Sequence, residues 1–503
     1  MSKKTRFLFN GILLTLVGLA MRGAGVFLGA HISSAIGAEG IGLQGLVATV
    51  YSFAITLATS GVSLSVTRLA AEAAGKGIGD RRVMRGAFLY AFFFGAATSI
   101  LLFLLADVLG AAVLSDARTV GALKILAFSL LPIAWSAVIS GYFIAVRRVA
   151  LNAAVQVFGQ ILRIALTVVL LTRAASDTEM AIQLLAIGAT VTEIVCFLIA
   201  LIEYVIDRRI HTNMEKSGDG IREVAQMALP LAFSAYVRAF LLSVEHSLIP
   251  QRLVDRGNSR AEALSAYGYL GGMALPIILF PMTPLGSFAG LLVPEFAECE
   301  GANDRERIER MAAIAIERAL VYTAVVAVTV FTFSEELGYV IYHTYEAGRY
   351  ICILAPVIPI MYLDHVADSM LKGIGEHVYS MWVNIADSLL SVMLVWVLIP
   401  LFDIEGYAIV IILMELFNFA LSYMRLKKRI SFKVNIFKAF ILPLVFTIFG
   451  AACAKFVFKF SGRAVSALWL ILKIVFSLCI YLAISSLVNI LTCCTKGKCK
   501  FTK

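Results

Sequence analysis

The stretch LVGLAMRGAGVFLGA, residues 16–30, decides the fold because it belongs to an apolar run long enough to cross a bilayer. Near its middle stands one arginine, Arg22, whose guanidinium is costly to hold in lipid. Similar apolar runs recur along the whole chain of 503 residues, which is 60% hydrophobic and only 15% charged. This composition indicates an all-α, polytopic membrane protein.

The apolar runs predict about fourteen transmembrane helices. The expected spans are 7–36, 42–70, 83–109, 118–146, 150–173, 180–206, 225–251, 264–294, 311–334, 348–372, 379–400, 406–424, 437–458 and 466–491. The linkers between them are short, and the longest is 207–224. We therefore expect no extramembrane domain that could house a catalytic or nucleotide-binding unit.

The net charge of +10 is explained by topology rather than by nucleic-acid binding. Lys and Arg cluster in alternate loops, such as 76–85 and 425–433, whereas the intervening loops are poor in them. Under the positive-inside rule this pattern places both termini in the cytoplasm. The sequence thus predicts a multi-pass protein of the plasma membrane.

Two similar segments suggest an internal repeat. GILLTLVGLAMRGAGVFL begins at Gly11 and MALPLAFSAYVRAFLLSV begins at Met227, which aligns Arg22 with Arg238. Parallel repeats of this kind are a known transporter plan. We expect two pseudo-symmetric six-helix lobes, 1–210 and 211–430, followed by two further transmembrane helices and a basic cytoplasmic tail in 431–503.

The first span has one face of small residues and one face of bulky ones. Helical spacing places on the same face the residues Gly11, Thr15, Gly18, Arg22, Gly25 and Gly29. The small face should pack against protein, because small residues let helices approach closely. Arg22 is therefore predicted to face the interior of the bundle.

Four intramembrane arginines form the candidate binding site for an anionic headgroup: Arg22, Arg68, Arg163 and Arg238. An arginine at bilayer depth costs from about 2.5 to over 10 kcal/mol unless it meets water or an anion. No Asp or Glu occurs between Lys3 and Ala38, so Arg22 lacks an obvious partner. Guanidinium forks match phosphate oxygens. Alternatively, Arg68 snorkels to the cytoplasmic surface, and Arg163 binds backbone carbonyls or Gln160.

The second half carries acidic residues within its spans. The candidates for ion coupling are Asp364, Asp368, Asn384, Asp387 and Glu415. Carboxylates at this depth could hold Na⁺ or a proton, and they could equally neutralise arginines or lie near a membrane edge. Apart from such an ion, the sequence predicts no cofactor and no bound metal.

Motifs for nucleotide use and catalysis are missing from the sequence. EAAGKGIGD contains Gly75-Lys76, but Ala70 stands where a phosphate-binding loop needs its first glycine. No H-E-x-x-H motif occurs, and no long loop carries acidic metal-binding residues. The sequence therefore predicts neither an enzyme nor a nucleotide-driven pump.

Two segments point to a known family, namely AEGIGLQGLVATVYSFAITLATSGVSLSVTRLAAE (38–72) and SGYFIAVRRVALNAAVQVFGQILRIALT (140–167). They resemble the polysaccharide-transporter branch of the multidrug/oligosaccharidyl-lipid/polysaccharide exporter superfamily, near its stage V sporulation protein B-like proteins and lipid II flippases. The resemblance implies two lobes around a cationic cavity. It also implies movement of an undecaprenyl-pyrophosphate-linked oligosaccharide or peptidoglycan precursor from the inner to the outer leaflet.

The same resemblance assigns roles to two arginines. Arg22 matches the cavity arginine of the first helix, and Arg163 matches the arginine of the family's E-Q-x-x-R stretch. Here that stretch is GQILR, with Gly159 in place of the acid, so a more positive site is expected.

The alternative function is a cation-coupled multidrug exporter of the same superfamily. That branch generally carries a coupling acid in its first helix, and this chain lacks one. A scaffolding role in envelope synthesis is a further alternative. The expected partners are a lipid-linked saccharide and the membrane, without nucleic acid or nucleotide, and we expect a monomer.

Overall fold

The computed structural model describes residues 3–75, 80–146, 148–173, 177–210, 220–459 and 466–495. Every regular element in these ranges is helical, and no β-strand occurs among them. This confirms the all-α prediction. The basic tail beyond residue 495 and residues 211–219 of the longest linker lie outside the described residues.

Nineteen α-helices lie within the described ranges. They are α1 (Lys3–Thr59), α2 (Val62–Gly75), α3 (Arg81–Val108), α4 (Thr119–Ala127), α5 (Leu130–Ala145), α6 (Val149–Leu171), α7 (Thr178–Ile210), α8 (Gly220–Asp255), α9 (Arg260–Tyr267), α10 (Leu275–Leu279), α11 (Met282–Gly301), α12 (Arg305–Thr332), α13 (Ser334–Tyr342), α14 (Tyr345–Leu354), α15 (Ile358–Gly373), α16 (His377–Phe402), α17 (Ile404–Arg429), α18 (Leu442–Lys459) and α19 (Ala467–Thr495). Short π-helical segments occupy Leu109–Val113, Gly268–Ala274 and Phe437–Ile441, and a 3₁₀ turn occupies Ala355–Val357.

The described helices account for a multi-pass membrane protein. Eleven are long and apolar enough to cross a membrane, or twelve if the bent pair α4 and α5 forms one span. The predicted number of fourteen is not confirmed. The apolar run Gly18–Ala70 covers two predicted spans and counts once, and α8 is not among the eleven.

Two breaks interrupt the long N-terminal helix. The first break is at Gly37, which has φ 67° and ψ −174°. This residue lies in the linker predicted between spans 1 and 2. Ser60 and Gly61 both have positive φ and separate α1 from α2, a break inside the predicted second span. Positive φ is easy for glycine and costly for serine. Ser60 is fully buried, and its Oγ lies 2.7 Å from the Tyr90 hydroxyl, which helps to hold the strained turn.

Contacts divide the chain into two compact units that do not follow chain order. The first unit contains Met1–Ala30, Tyr269–Asp387 and Glu405–Lys503, and the second contains His31–Gly268 and Ser388–Ile404. The start of α1 groups with later residues because it packs on α11: a Cβ on Gly18 would lie 3.3 Å from Thr283 Cγ2. The lobes 1–210 and 211–430, inferred from the repeat, remain a prediction.

Within the first unit, α11 and α12 pack on α15, and α18 pairs with α19. The turn before α16 is held by Glu376, which forms ion pairs with Arg425 at 2.8 Å and with Arg429. Hydrogen bonds from Arg425 and then Arg429 hold the pKa of Glu376 below its usual range, although burial opposes them. In the second unit, α2 and α3 pack on α5, and α6 pairs with α7.

Candidate substrate-binding and ion-coupling sites

Arg22 lies on α1 of the first unit, on the face that meets protein. Its Nη1 donates to the backbone oxygen of Leu279 at 2.5 Å and to Thr283 Oγ1 at 3.4 Å. Gly29, two turns further on, lies beside Tyr342, whereas the side chain of Phe27 on the opposite face is 64% exposed. Gly18, Arg22 and Gly29 on the predicted small face therefore lie against protein, whereas Gly25 on the same face is exposed. The surroundings of Gly11 and Thr15 lie outside the described residues.

The carbonyl that Arg22 contacts belongs to a broken helix. Pro281 and Pro284 lack N–H groups, so the chain between α10 and α11 cannot complete its helical hydrogen bonds. Three hydroxyls satisfy neighbouring carbonyls: Tyr362 donates to Ile278, Thr283 to Phe280 and Tyr322 to Pro281. Arg22 thus completes a set of side chains that stabilises the break. The prolines were visible in the sequence, but the Arg22 contact was not.

One edge of the Arg22 guanidinium is left unoccupied. A guanidinium has five N–H donors, and both observed bonds use Nη1. In the described part of the chain, Nε and Nη2 have no hydrogen-bond partner, and no carboxylate lies within 4.0 Å. The Arg22 side chain is exposed, and a Cβ on Gly25, one turn later, would meet open space. The Nε–Nη2 edge has the geometry that binds two oxygens of one phosphate.

Arg163 lies on α6 of the second unit and is ion-paired. Its Nη2 is 2.7 Å from Glu193 Oε1 on α7, and the two side chains are 38% and 28% exposed. Arg163 therefore has an acidic partner in the protein, and its role as a substrate ligand remains a prediction. Glu193 was visible in the sequence, but its register against α6, 30 residues away, was not.

Gly159 is explained by packing. A Cβ at this position would lie 2.6 Å from Cys196 Sγ on α7, so a side chain there would require Cys196 or the helix to move. Glu193 supplies an acid to Arg163 from the neighbouring helix, although Gly159 itself provides none.

We expect Arg163→Gln and Glu193→Gln each to lower the free energy of unfolding by about 1–3 kcal/mol, because each leaves a half-buried charge unpaired. The double variant should recover part of that loss. Thermal unfolding of the purified protein measures both effects. Glu306→Gln is the control, since its pair with Arg310 is mostly exposed and should matter little. Strictly additive losses in the double variant would contradict the pairing.

The other two predicted arginines lie in the second unit. Arg68 is exposed on α2, and Arg238 is exposed on α8. Among the residues that the structure describes, neither has a carboxylate within 4.0 Å. Both could therefore meet an anion or water, and their role as substrate ligands remains a prediction.

Three of the predicted coupling acids interact electrostatically in the first unit. Asp364 interacts electrostatically with Asp387, and Glu415 interacts with both. One oxygen of Asp364 bonds to Ser422, whereas its Oδ1 is buried and has no hydrogen-bond partner in the described ranges. Neighbouring carboxylates in a poorly hydrated place repel each other, which favours the uptake of a cation or a proton.

The remaining two candidates, Asp368 and Asn384, have protein partners. Lys372 Nζ lies 2.6 Å from Asp368, one turn away on α15, and Ser380 also donates to that carboxylate. Asn384 donates to the backbone oxygen of Ser380 at 2.7 Å. Among described residues, no group of three or more His, Cys, Asp or Glu side chains is arranged to hold a metal ion.

Comparison with known proteins agrees with this architecture. Stage V sporulation protein B of Bacillus subtilis (strain 168) is 25% identical over 428 residues, which cover 82% of each chain. Sporulation protein YkvU of the same organism is 19% identical over 294 residues, covering 58% of this chain and 66% of that protein.

Solved structures share the fold at low sequence identity. The lipid II flippase MurJ in its inward closed conformation has a TM-score of 0.72 at 14% identity, covering 95% of this chain and 98% of that one. An inward-facing multidrug resistance MATE family transporter of the MOP superfamily has a TM-score of 0.64 at 14% identity, covering 83% and 98%.

Two families match segments of the sequence. Residues 257–397 match MatE, and residues 7–284 match the polysaccharide biosynthesis protein family. The second match spans more than half of the chain and confirms the predicted exporter superfamily. The protein therefore belongs to the polysaccharide biosynthesis protein family.

Proposed function

We propose that this membrane transporter moves an undecaprenyl-pyrophosphate-linked oligosaccharide or peptidoglycan precursor from the inner to the outer leaflet. The family match and the fold shared with a lipid II flippase support a lipid-linked substrate. The solved structures with this fold are named as a flippase and as MATE transporters, which favours transport over catalysis. In this proposal the two halves of the protein alternate access to the two leaflets, and the polyprenyl tail stays in lipid.

The observation that carries the proposal is the free Nε–Nη2 edge of Arg22. A guanidinium at this depth costs at least about 2.5 kcal/mol, so an edge without a protein partner calls for an anion or water. Two parallel hydrogen bonds to a pyrophosphate would offset that cost, since bonds to charged groups contribute about 1.5–3 kcal/mol each. The hydrogen bond to Leu279 holds the fork in place before the substrate arrives.

The other arginines have subordinate roles in this proposal. Arg68 and Arg238 would attract the headgroup, because each is exposed and neither is paired with a described carboxylate. Arg163 would act through its pair with Glu193, by fixing α6 against α7.

We further propose that Asp364, Asp387 and Glu415 couple transport to an ion gradient. A bound cation or proton would relieve the repulsion among the three carboxylates, and its release on the other side would reset the transporter. Asn384, which precedes Asp387 by one turn on α16, would add an amide oxygen. Each charge that crosses 100 mV supplies about 2.3 kcal/mol.

A second candidate function is the export of cationic drugs. The MatE match over residues 257–397 and the acidic cluster in the first unit favour it, because acids also bind organic cations. It gives no role to the free edge of Arg22, which would repel a cationic substrate.

Direct binding separates the two functions. Purified protein should bind an undecaprenyl-pyrophosphate-linked sugar at least about 100-fold more tightly than a cationic dye, because the Arg22 fork prefers anions. Tryptophan fluorescence or microscale thermophoresis measures both affinities. Tighter binding of the dye would favour drug export and contradict the proposed substrate.

A further inference from the structure

We propose that the protein binds an anionic phospholipid in a groove of the first unit, between α12, the π-helical segment Phe437–Ile441 and α19. This lipid groove has a volume of about 560 Å³. Its walls include Val321, Tyr322, Val325 and Tyr481. These side chains offer apolar surface to the glycerol backbone and to the first carbons of an acyl chain. The volume is large enough for this part of a phospholipid.

Two cations give the lipid groove its charge preference. Arg318 on α12 and Lys438 on the π-helical segment both line it and are both exposed. Within the described ranges, neither has a carboxylate within 4.0 Å. The one acid of the lining is Glu317, which accepts a weak hydrogen bond from the Asn435 N–H at 3.5 Å. The groove therefore carries two positive charges and one negative charge, and the net positive charge favours binding of a phosphate group.

The surroundings of the lipid groove indicate that it opens into the membrane. Ile436 and Phe437 are each 61% exposed, and Ile314 on α12 is 42% exposed. Such side chains belong in contact with acyl chains. The orientation predicted from the basic loops puts this end at the cytoplasmic surface, where basic pockets between helices bind anionic headgroups.

The lipid groove is connected to the helix break that Arg22 stabilises. The ring of Tyr322 lines the groove, and its hydroxyl donates to the carbonyl of Pro281. The Arg22 contact, Leu279, lies two residues earlier. A lipid that packs on Tyr322 would therefore stabilise the same broken segment. We assign the lipid groove to a resident phospholipid rather than to the transported lipid, which Arg22 would bind.

Native mass spectrometry of the full-length protein tests this assignment. The protein is titrated with phosphatidylglycerol, phosphatidylcholine or undecaprenyl pyrophosphate. In Arg318→Gln/Lys438→Gln, phosphatidylglycerol binding should weaken about tenfold or more, because each basic residue near the surface contributes to anionic-lipid affinity. Binding of phosphatidylcholine and undecaprenyl pyrophosphate should not change.

Two further variants test whether a loss of phosphatidylglycerol binding comes from misfolding rather than from the loss of charge in the lipid groove. Arg318→Lys/Lys438→Arg keeps both charges and should retain phosphatidylglycerol binding. Arg310→Gln removes a 69% exposed arginine on the same helix and should also leave it unchanged. Equal binding of phosphatidylglycerol by wild type and the double Gln variant would overturn the proposal, and so would equal affinity for phosphatidylcholine. An equal loss of undecaprenyl pyrophosphate binding would assign the lipid groove to the transported lipid instead.

Discussion

Arg22→Ala is expected to abolish growth in a strain that depends on this protein as its only flippase for lipid-linked sugar. Two charge-assisted hydrogen bonds of about 1.5–3 kcal/mol each would be lost, which weakens headgroup binding about 100-fold or more. Arg22→Lys keeps the charge but not the fork, so we expect an intermediate loss of about tenfold. Growth and the affinity for undecaprenyl pyrophosphate are the two readouts.

Arg22→Ala can impair the protein in two ways, by destabilising the helix break and by removing the contact with the substrate. Arg22 also donates to Leu279 O, so its removal leaves a carbonyl at the helix break unsatisfied. Tyr322→Phe removes another donor from the same break without touching Arg22 and is the matched control. It should lower thermal stability to a similar extent and leave substrate affinity intact. If Arg22→Ala and Tyr322→Phe weaken substrate binding equally, substrate affinity depends on the helix break and not on the free Nε–Nη2 edge.

Asp364→Asn is expected to uncouple transport from the ion gradient. A gradient of 100 mV supplies about 2.3 kcal/mol per charge, equivalent to about a 50-fold concentration ratio. We expect gradient-driven substrate movement in proteoliposomes to fall at least about tenfold, and Glu415→Gln to have the same effect because these two acids interact. Fluorescence of a labelled lipid-linked sugar, measured under imposed Na⁺ or pH gradients, identifies the ion.

Asp368→Asn provides the internal comparison for the coupling acids. Lys372 already neutralises Asp368 at 2.6 Å, so its loss should reduce gradient-driven movement by no more than about threefold. If Asp368→Asn uncouples transport as strongly as Asp364→Asn, the lysine pair is part of the coupling site. If neither variant changes the gradient dependence, these carboxylates are not the coupling site.

Hydropathy and helical periodicity predicted the features that depend on one helix at a time. The apolar runs gave an all-helical membrane protein, and the small face of the first span correctly predicted that Gly18 and Gly29 lie against protein. The break at Gly37 lies in a linker predicted from the loss of hydrophobicity. Such features follow from local composition because the bilayer imposes the same length and polarity on every span.

Features that join distant helices were not predictable from the sequence. Arg163 pairs with Glu193, and Gly159 is required by Cys196, yet both relations depend on the register of α6 against α7. Arg22 reaches the carbonyl of Leu279, 257 residues away, only because prolines break the helix there. The break at Ser60 also escaped prediction, since no proline precedes it and serine rarely adopts positive φ.

The most direct test of the account is an experimental structure of the protein with undecaprenyl pyrophosphate bound. Phosphate oxygens should lie within about 3 Å of Nε and Nη2 of Arg22, while Nη1 keeps its contact with Leu279 O. A headgroup bound away from Arg22, with the Nε–Nη2 edge facing acyl chains or a carboxylate, would contradict the proposed role of this arginine in carrying sugar-linked lipids across the membrane.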